Sequence, residues 1–108
     1  MTQYQPVNDE DEYHKRRRNA VIRSVRLAQA RKLGSHTARE WIELCQEFSY
    51  ACLLCGADGV VKDHIQPIYQ GGSDAISNIQ PLCRKCNSSK GPDTTNWVEI
   101  RRSEKRSI

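Results

Sequence analysis

The chain is short of aromatic residues and of long apolar runs. Of its 108 residues 6% are aromatic, with one Phe and one Met, and 37% are hydrophobic. Nothing approaches the roughly 20 consecutive apolar residues that cross a bilayer, so no membrane role is expected. The first residues lack the basic-then-apolar layout of a secretory signal, which sets the expected compartment as the cytoplasm. No internal repeat is present beyond two cysteine pairs, and no aromatic platform for single-stranded nucleic acid is seen. A chain this small and polar, with a mean hydropathy of -0.76, cannot bury a generous core and needs another staple. The length allows one small domain with an arm.

What the sequence does have is segregated charge. The formal net charge is +4, but residues 13–35 alone carry +8 while residues 1–12 carry -4. A block this basic is a candidate footprint for a polyanion. Residues 1–8 show no periodicity and are expected to be a disordered start. Residues 9–34 are expected to form a basic helical arm: neither Pro nor Gly interrupts Asp9–Leu33, its acids lie in the first turn, and Gly34 follows as a C-cap. On a helical wheel Val21, Ile22, Val25, Ala28 and Leu33 fall on one side, and Arg16, Arg23, Arg26 and Arg31 fall mostly on the other. Leu27, Arg18 and Lys32 break the pattern.

A second helix is predicted over 38–48. Thr37-Ala-Arg-Glu40 has the capping-box form, and Trp41, Leu44, Cys45 and Phe48 make a core-facing stripe. Beyond Tyr50, glycines and prolines punctuate short pieces. Val60–Ile65 and Asn78–Leu82 read as strands, Gln70–Asp74 as a loop, and Cys83–Lys90 as a helix. Residues 93–108 read as a basic C-terminal tail with a weak helical signal from Trp97 to Arg106. His14 and His36 read as surface or helix-entry positions, and Asp74 as a loop residue that could also enter a metal shell.

Cys52-x2-Cys55 and Cys83-x2-Cys86 are paired knuckles, and two such pairs close a tetrahedral shell around one ion. With no export layout, a structural Zn2+ is favoured over four reduced thiols or two disulfides. A closed four-thiolate site leaves no position for substrate, and the metal would supply folding energy that the small core lacks. Cys45, on the apolar stripe, reads as a buried free thiol.

Between the knuckles stand Asp63-His64-Ile65-x-Pro67, then Gly71-Gly72, then Asn78-Ile79-Gln80-Pro81-Leu82, with Asn87-x2-Lys90-Gly91 after the last cysteine. This text resembles the HNH endonucleases, the ββα-metal or His-Me finger group, over about residues 50–91. The resemblance implies a small α+β fold: a ββα-metal core clamped by the four-cysteine zinc, spanning 35–92 and preceded by N-terminal helices. It further implies that His64 is the general base and that Asp63 and Asn87 hold one divalent ion, Mg2+ or Mn2+. Asn78 would pin the inter-strand loop, and the products would carry 5'-phosphate and 3'-hydroxyl ends. The third motif letter, often His, is Asn87 here, an H-N-N variant. His64 suits the base role because its ordinary pKa lies near neutrality. Asp63 and His64 are adjacent, so a flat strand would point them to opposite sides.

DNA is the expected partner. Arg16, Arg17, Arg18, Arg23 and Arg26 on the arm, with Arg84, Lys85 and Lys90 near the site, are candidate phosphate contacts. The arm could instead be a solvated face, or a membrane-surface or calmodulin-like helix. The rival readings are a non-catalytic zinc-stabilised nucleic-acid-binding module and an adaptor in a phage packaging or DNA-processing complex. Small proteins of this group are typical of phages, which would place the chain in a host cytoplasm.

Overall fold

A computed structural model describes residues 9–106, with side chains from Glu12 onward; the disordered start expected at 1–8 lies outside the described residues. The fold is a small α+β arrangement. Helix α1 spans Asp9–Leu33 and α2 spans Ala38–Glu47. Strand β1, Val60–His64, is joined to strand β2, Ile79–Cys83, by a loop holding two 3-10 turns, Ile68–Gln70 and Ile76–Asn78. Helix α3, Arg84–Ser89, follows β2 directly, and α4 covers Trp97–Arg106.

The two strands pair antiparallel, with Val60 opposite Cys83, Asp63 opposite Gln80 and His64 opposite Ile79. Every residue of β2 is buried. Pro81 is tolerated because its carbonyl turns outward to accept Leu53 N–H at 3.1 Å, which sews the first knuckle to the sheet. The core gathers Leu44, Phe48, Leu53, Ile79, Leu82 and Val98 around Cys52 and Cys83, with Trp41 and Trp97 packed against it. Three of the four positions of the α2 stripe are buried, and Trp41 is half-buried. The capping box of α2 forms as its sequence requires: Glu40 N–H donates to Thr37 Oγ1 and Thr37 N–H to Glu40 Oε1.

One expectation is corrected. The apolar side assigned to α1 is not the buried one. Val21, Ile22, Val25 and Leu33 are exposed, whereas Ala30 is buried and Leu27, the apparent exception, is half-buried against the body. The rotation of α1 is fixed at its C-terminal end, where Asp74 N–H donates to the carbonyls of Ala30 and Gly34 at 3.2 and 3.1 Å. That junction needs Gly34, because a Cβ there would lie 2.9 Å from the Ala75 Cβ. From Tyr13 to Ile22 the side chains of α1 are exposed, and this part projects from the body. Helix α4 forms where the weak signal from Trp97 to Arg106 stood, and it is docked on the body. Val98 enters the core, Arg102 makes a bidentate ion pair with Glu47 at 2.7 Å, and Arg101 Nε donates to Leu53 O at 2.8 Å. The weak local signal of α4 is offset by these tertiary contacts, which propensity cannot register. Among the described residues, no helix is long and apolar enough to cross a membrane.

Candidate functional site

The four paired cysteines meet at one point. The Sγ atoms of Cys52, Cys55, Cys83 and Cys86 all lie within 4.8 Å of one another, and those of Cys55 and Cys83 are 3.6 Å apart. Four sulfurs about 2.3 Å from a central ion stand at about this separation, so the donor set fits tetrahedral Zn2+. None of the five cysteines is in a disulfide. The electrostatics also call for a cation. Burial opposes a thiolate at Cys52, but the backbone N–H groups of Cys55, Cys83 and Leu54 outweigh it and bring the thiol down to about 6. The Cys86 N–H draws the Cys83 thiol down as well. Cys86, facing the Cys83 sulfur and its own burial, is pushed up to about 12. A central cation would relieve the crowding that keeps the Cys86 thiol protonated. Cys45 stands apart, buried in the core, and burial raises its thiol above the ordinary value.

Cys83 has three local jobs. It ends β2, offers a sulfur to the knuckle, and caps α3 by accepting Cys86 N–H at 3.4 Å. The metal knuckle thereby sets where α3 starts, and α3 carries Asn87.

His64 and Asp63, at the end of β1, and Asn87 of α3 line one open cavity of about 480 Å3. Arg23, Arg26 and Leu27 of α1 also line it, and Lys62, Ile68, Tyr69 and Lys90 are among the remaining lining residues. The strand alternation seats the neighbours differently, as a flat strand demands. Asp63 is buried beside Gln80 and Lys90, while His64 turns toward Asp74. The cavity reaches both.

Asn78 clamps the inter-strand loop. Its Oδ1 accepts Gln66 N–H at 2.9 Å, and its Nδ2 donates to Gln66 O at 3.0 Å and Ser73 O at 2.7 Å. The clamp brings the chain so close at Gly72 that a Cβ would stand 1.9 Å from Gln66 O.

The basic residues divide. Arg23 and Arg26 reach the cavity. Arg16, Arg17 and Arg18 are exposed on the projecting part of α1, where Arg16 pairs with Glu12 and Arg17 stacks on Tyr13. Arg84 and Lys85 are exposed on α3 and do not line the cavity. Lys90 departs from the expected phosphate contact. Its ammonium is turned inward onto Asp63 Oδ2 at 2.7 Å, His64 O at 2.9 Å and Ile65 O at 3.2 Å.

The residues fit a hard divalent ion. Asp63 and Asn87 offer a carboxylate and an amide oxygen to the same cavity. Both hydrogen bonds to Asp63, from Lys90 and Gln80, fall on Oδ2, so Oδ1 is the oxygen available to a metal. No described residue bonds to the Asn87 side chain.

Two residues stand at the site in places the sequence reading did not give them. Asp74 is buried, and its Oδ1 lies 2.9 Å from His64 Nε2. His36 stands at the entry to α2, one of its two expected settings, but its side chain is buried and its Nδ1 donates to Asp74 O at 2.7 Å. The Gly-rich loop ten residues after His64 could have hinted at Asp74. Nothing local marks His36, which arrives only through the turn between α1 and α2.

Residues 52–93 match the family model described as HNH endonuclease. The match begins at the first cysteine of the first knuckle and ends just past α3, taking in both strands, both knuckles and the cavity residues of the body. No curated protein and no solved structure matches the chain.

Proposed function

We propose that this chain, whose residues 52–93 carry the match to the HNH endonucleases, is a metal-dependent nuclease that hydrolyses DNA phosphodiester bonds at the His64 cavity. One observation carries the reading: His64, Asp63 and Asn87, from a strand and a helix, line a single cavity that the basic helix α1 also lines.

Each group has a stated task. His64 takes the proton of the attacking water. Asp63 and Asn87 hold a hard divalent ion, Mg2+ or Mn2+, through oxygen. When bound, that ion offsets the charge gathering on the phosphate and the leaving oxygen. Asn78 fixes the loop that follows His64. Arg23 and Arg26 meet the phosphates beside the scissile bond and position the polymer without reading its sequence. The four-cysteine zinc holds β2 and α3 together and takes no part in the chemistry. A purely binding module would need the arginines and the knuckles but not this carboxylate, imidazole and amide facing one cavity.

The experiment is plasmid nicking by the zinc-loaded protein in Mg2+ or Mn2+, with His64→Ala beside the wild type. The variant is expected to lose about 10²-fold or more, the scale of a general base. Equal cutting by both proteins would remove His64 from the chemistry, and no cutting by the wild type with either metal would turn the reading toward binding alone.

A further inference from the structure

We infer that Asp74 is the positioning residue for His64: it fixes which imidazole nitrogen carries the proton and leaves the other to accept one. The inference rests on the nuclease reading above.

The geometry is specific. Asp74 Oδ1 is 2.9 Å from His64 Nε2. A carboxylate accepts and cannot donate, so Nε2 must bear the proton and give it to this bond. The basic lone pair is then on Nδ1, to which no described residue bonds. The second ring nitrogen's bond is what sets the tautomer of a histidine.

Asp74 is held firmly enough to impose that choice. It is 6% exposed although it lies in a loop. Its N–H donates to the last turn of α1, at Ala30 O and Gly34 O. Its carbonyl accepts His36 Nδ1–H at 2.7 Å, and the adjoining Ser73 carbonyl is taken by Asn78. Its second oxygen, Oδ2, faces Arg31 Nε at 3.6 Å and His36 Nδ1 at 3.7 Å. The carboxylate is therefore braced by the α1 end, the α1–α2 turn and the inter-strand clamp, and its free face is turned to the imidazole.

This arrangement orders two substitutions in a way that packing alone would not. In Asp74→Asn the shape is kept, but Arg31 and His36 draw the amide oxygen to their side and turn the NH2 toward His64. Nε2 must then accept, and the ring proton moves to Nδ1, where the base should be. In Asp74→Ala the partner is removed, and the ring is free to sample both tautomers. The isosteric variant is thus expected to be the worse enzyme. A role in packing alone would rank them the other way.

The test has two arms. On 15N-labelled, zinc-loaded protein, the ring nitrogens of the three histidines are read by NMR, with His64→Ala assigning the His64 signals. The expected result is the Nε2–H tautomer in the wild type and the Nδ1–H tautomer in Asp74→Asn. In plasmid nicking with Mg2+ or Mn2+, Asp74→Asn is expected to lower kcat about 10²-fold or more, the scale set by loss of a general base, with KM little changed. Asp74→Ala should fall less. Zinc content and melting are followed for each variant. A wild-type Nδ1–H tautomer overturns the inference, and this holds even where the variants do not fold. So does Asp74→Asn cutting at the wild-type rate while His64→Ala is dead, which spares the nuclease reading. If His64→Ala cuts as well as the wild type, the nuclease reading falls and takes the role of Asp74 with it.

Discussion

Lys90 shows how much one side chain can be bound up with its surroundings. Its ammonium and the Asp63 carboxylate are buried together, 9% and 3% exposed. Removing one partner of a buried pair strands the other charge, so Lys90→Met is expected to destabilise the fold by about 3–5 kcal/mol. Denaturant unfolding measures that. The salt dependence of DNA binding should stay unchanged, since the amine faces inward; a shallower salt slope would instead return Lys90 to the phosphate contacts. Gly72→Ala is a companion case, because its Cβ would meet Gln66 O at 1.9 Å. It is expected to lower the melting temperature and nicking together by prying open the Asn78 clamp. The motif residues were legible in the sequence because fixed spacing on a strand–loop–strand–helix unit carries Asp63, His64 and Asn87 to one cavity and sets Asn78 in the loop beside it. Asp74 and His36 were not, for they stand 38 positions apart and meet only because α1 returns its last turn to the loop.

At the scale of elements, the pattern of apolar, capping and breaking residues placed α1, α2, α3 and both strands within a residue or two, but it could not say which face of α1 is covered. Val21, Ile22 and Val25 look like a core stripe, yet the body meets the helix along Arg23, Leu27 and Ala30. The docking turn, and not hydrophobicity, decides the rotation. The arm's work should accordingly lie in Arg23 and Arg26. Replacing both by Ala is expected to reduce the slope of log K against log salt by about 2, one for each lost phosphate contact. A titration of DNA binding across salt concentrations checks this. The other helix that sequence undervalued, α4, is pinned by Arg102 on Glu47. The Arg102 hydrogen bond holds the Glu47 carboxyl below its ordinary 4.5. A depressed acid contributes stability that is present above the unfolded value and is lost as pH falls through the folded one. Acid should therefore loosen the α2–α4 contact below about that ordinary value, and Glu47→Gln should flatten that part of the melting-temperature profile.

For the molecule as a whole, the shortage of apolar residues and the abundance of cysteine are two sides of one fact. The core is built around two of the four clustered thiols, Cys52 and Cys83. Structural zinc contributes about 10–16 kcal/mol of apparent binding energy at neutral pH, as large as the whole net stability of about 5–15 kcal/mol that a domain retains on folding. Stripping the metal with a chelator is therefore expected to unfold β2 and α3 together, seen as loss of the cooperative melt. An unchanged melting temperature after measured zinc removal would contradict this.

The projecting α1 also has a hydrodynamic consequence. The Cα radius of gyration is 18.0 Å and the extents are 70 × 34 × 22 Å, whereas a compact chain of about 100 residues has a radius near 13 Å. A single 12.4 kDa chain of this outline drags through solvent like a larger sphere. On a sizing column calibrated with globular standards it would elute early and be mistaken for a dimer, so its subunit count must come from light scattering or sedimentation equilibrium, which weigh the particle and ignore its shape.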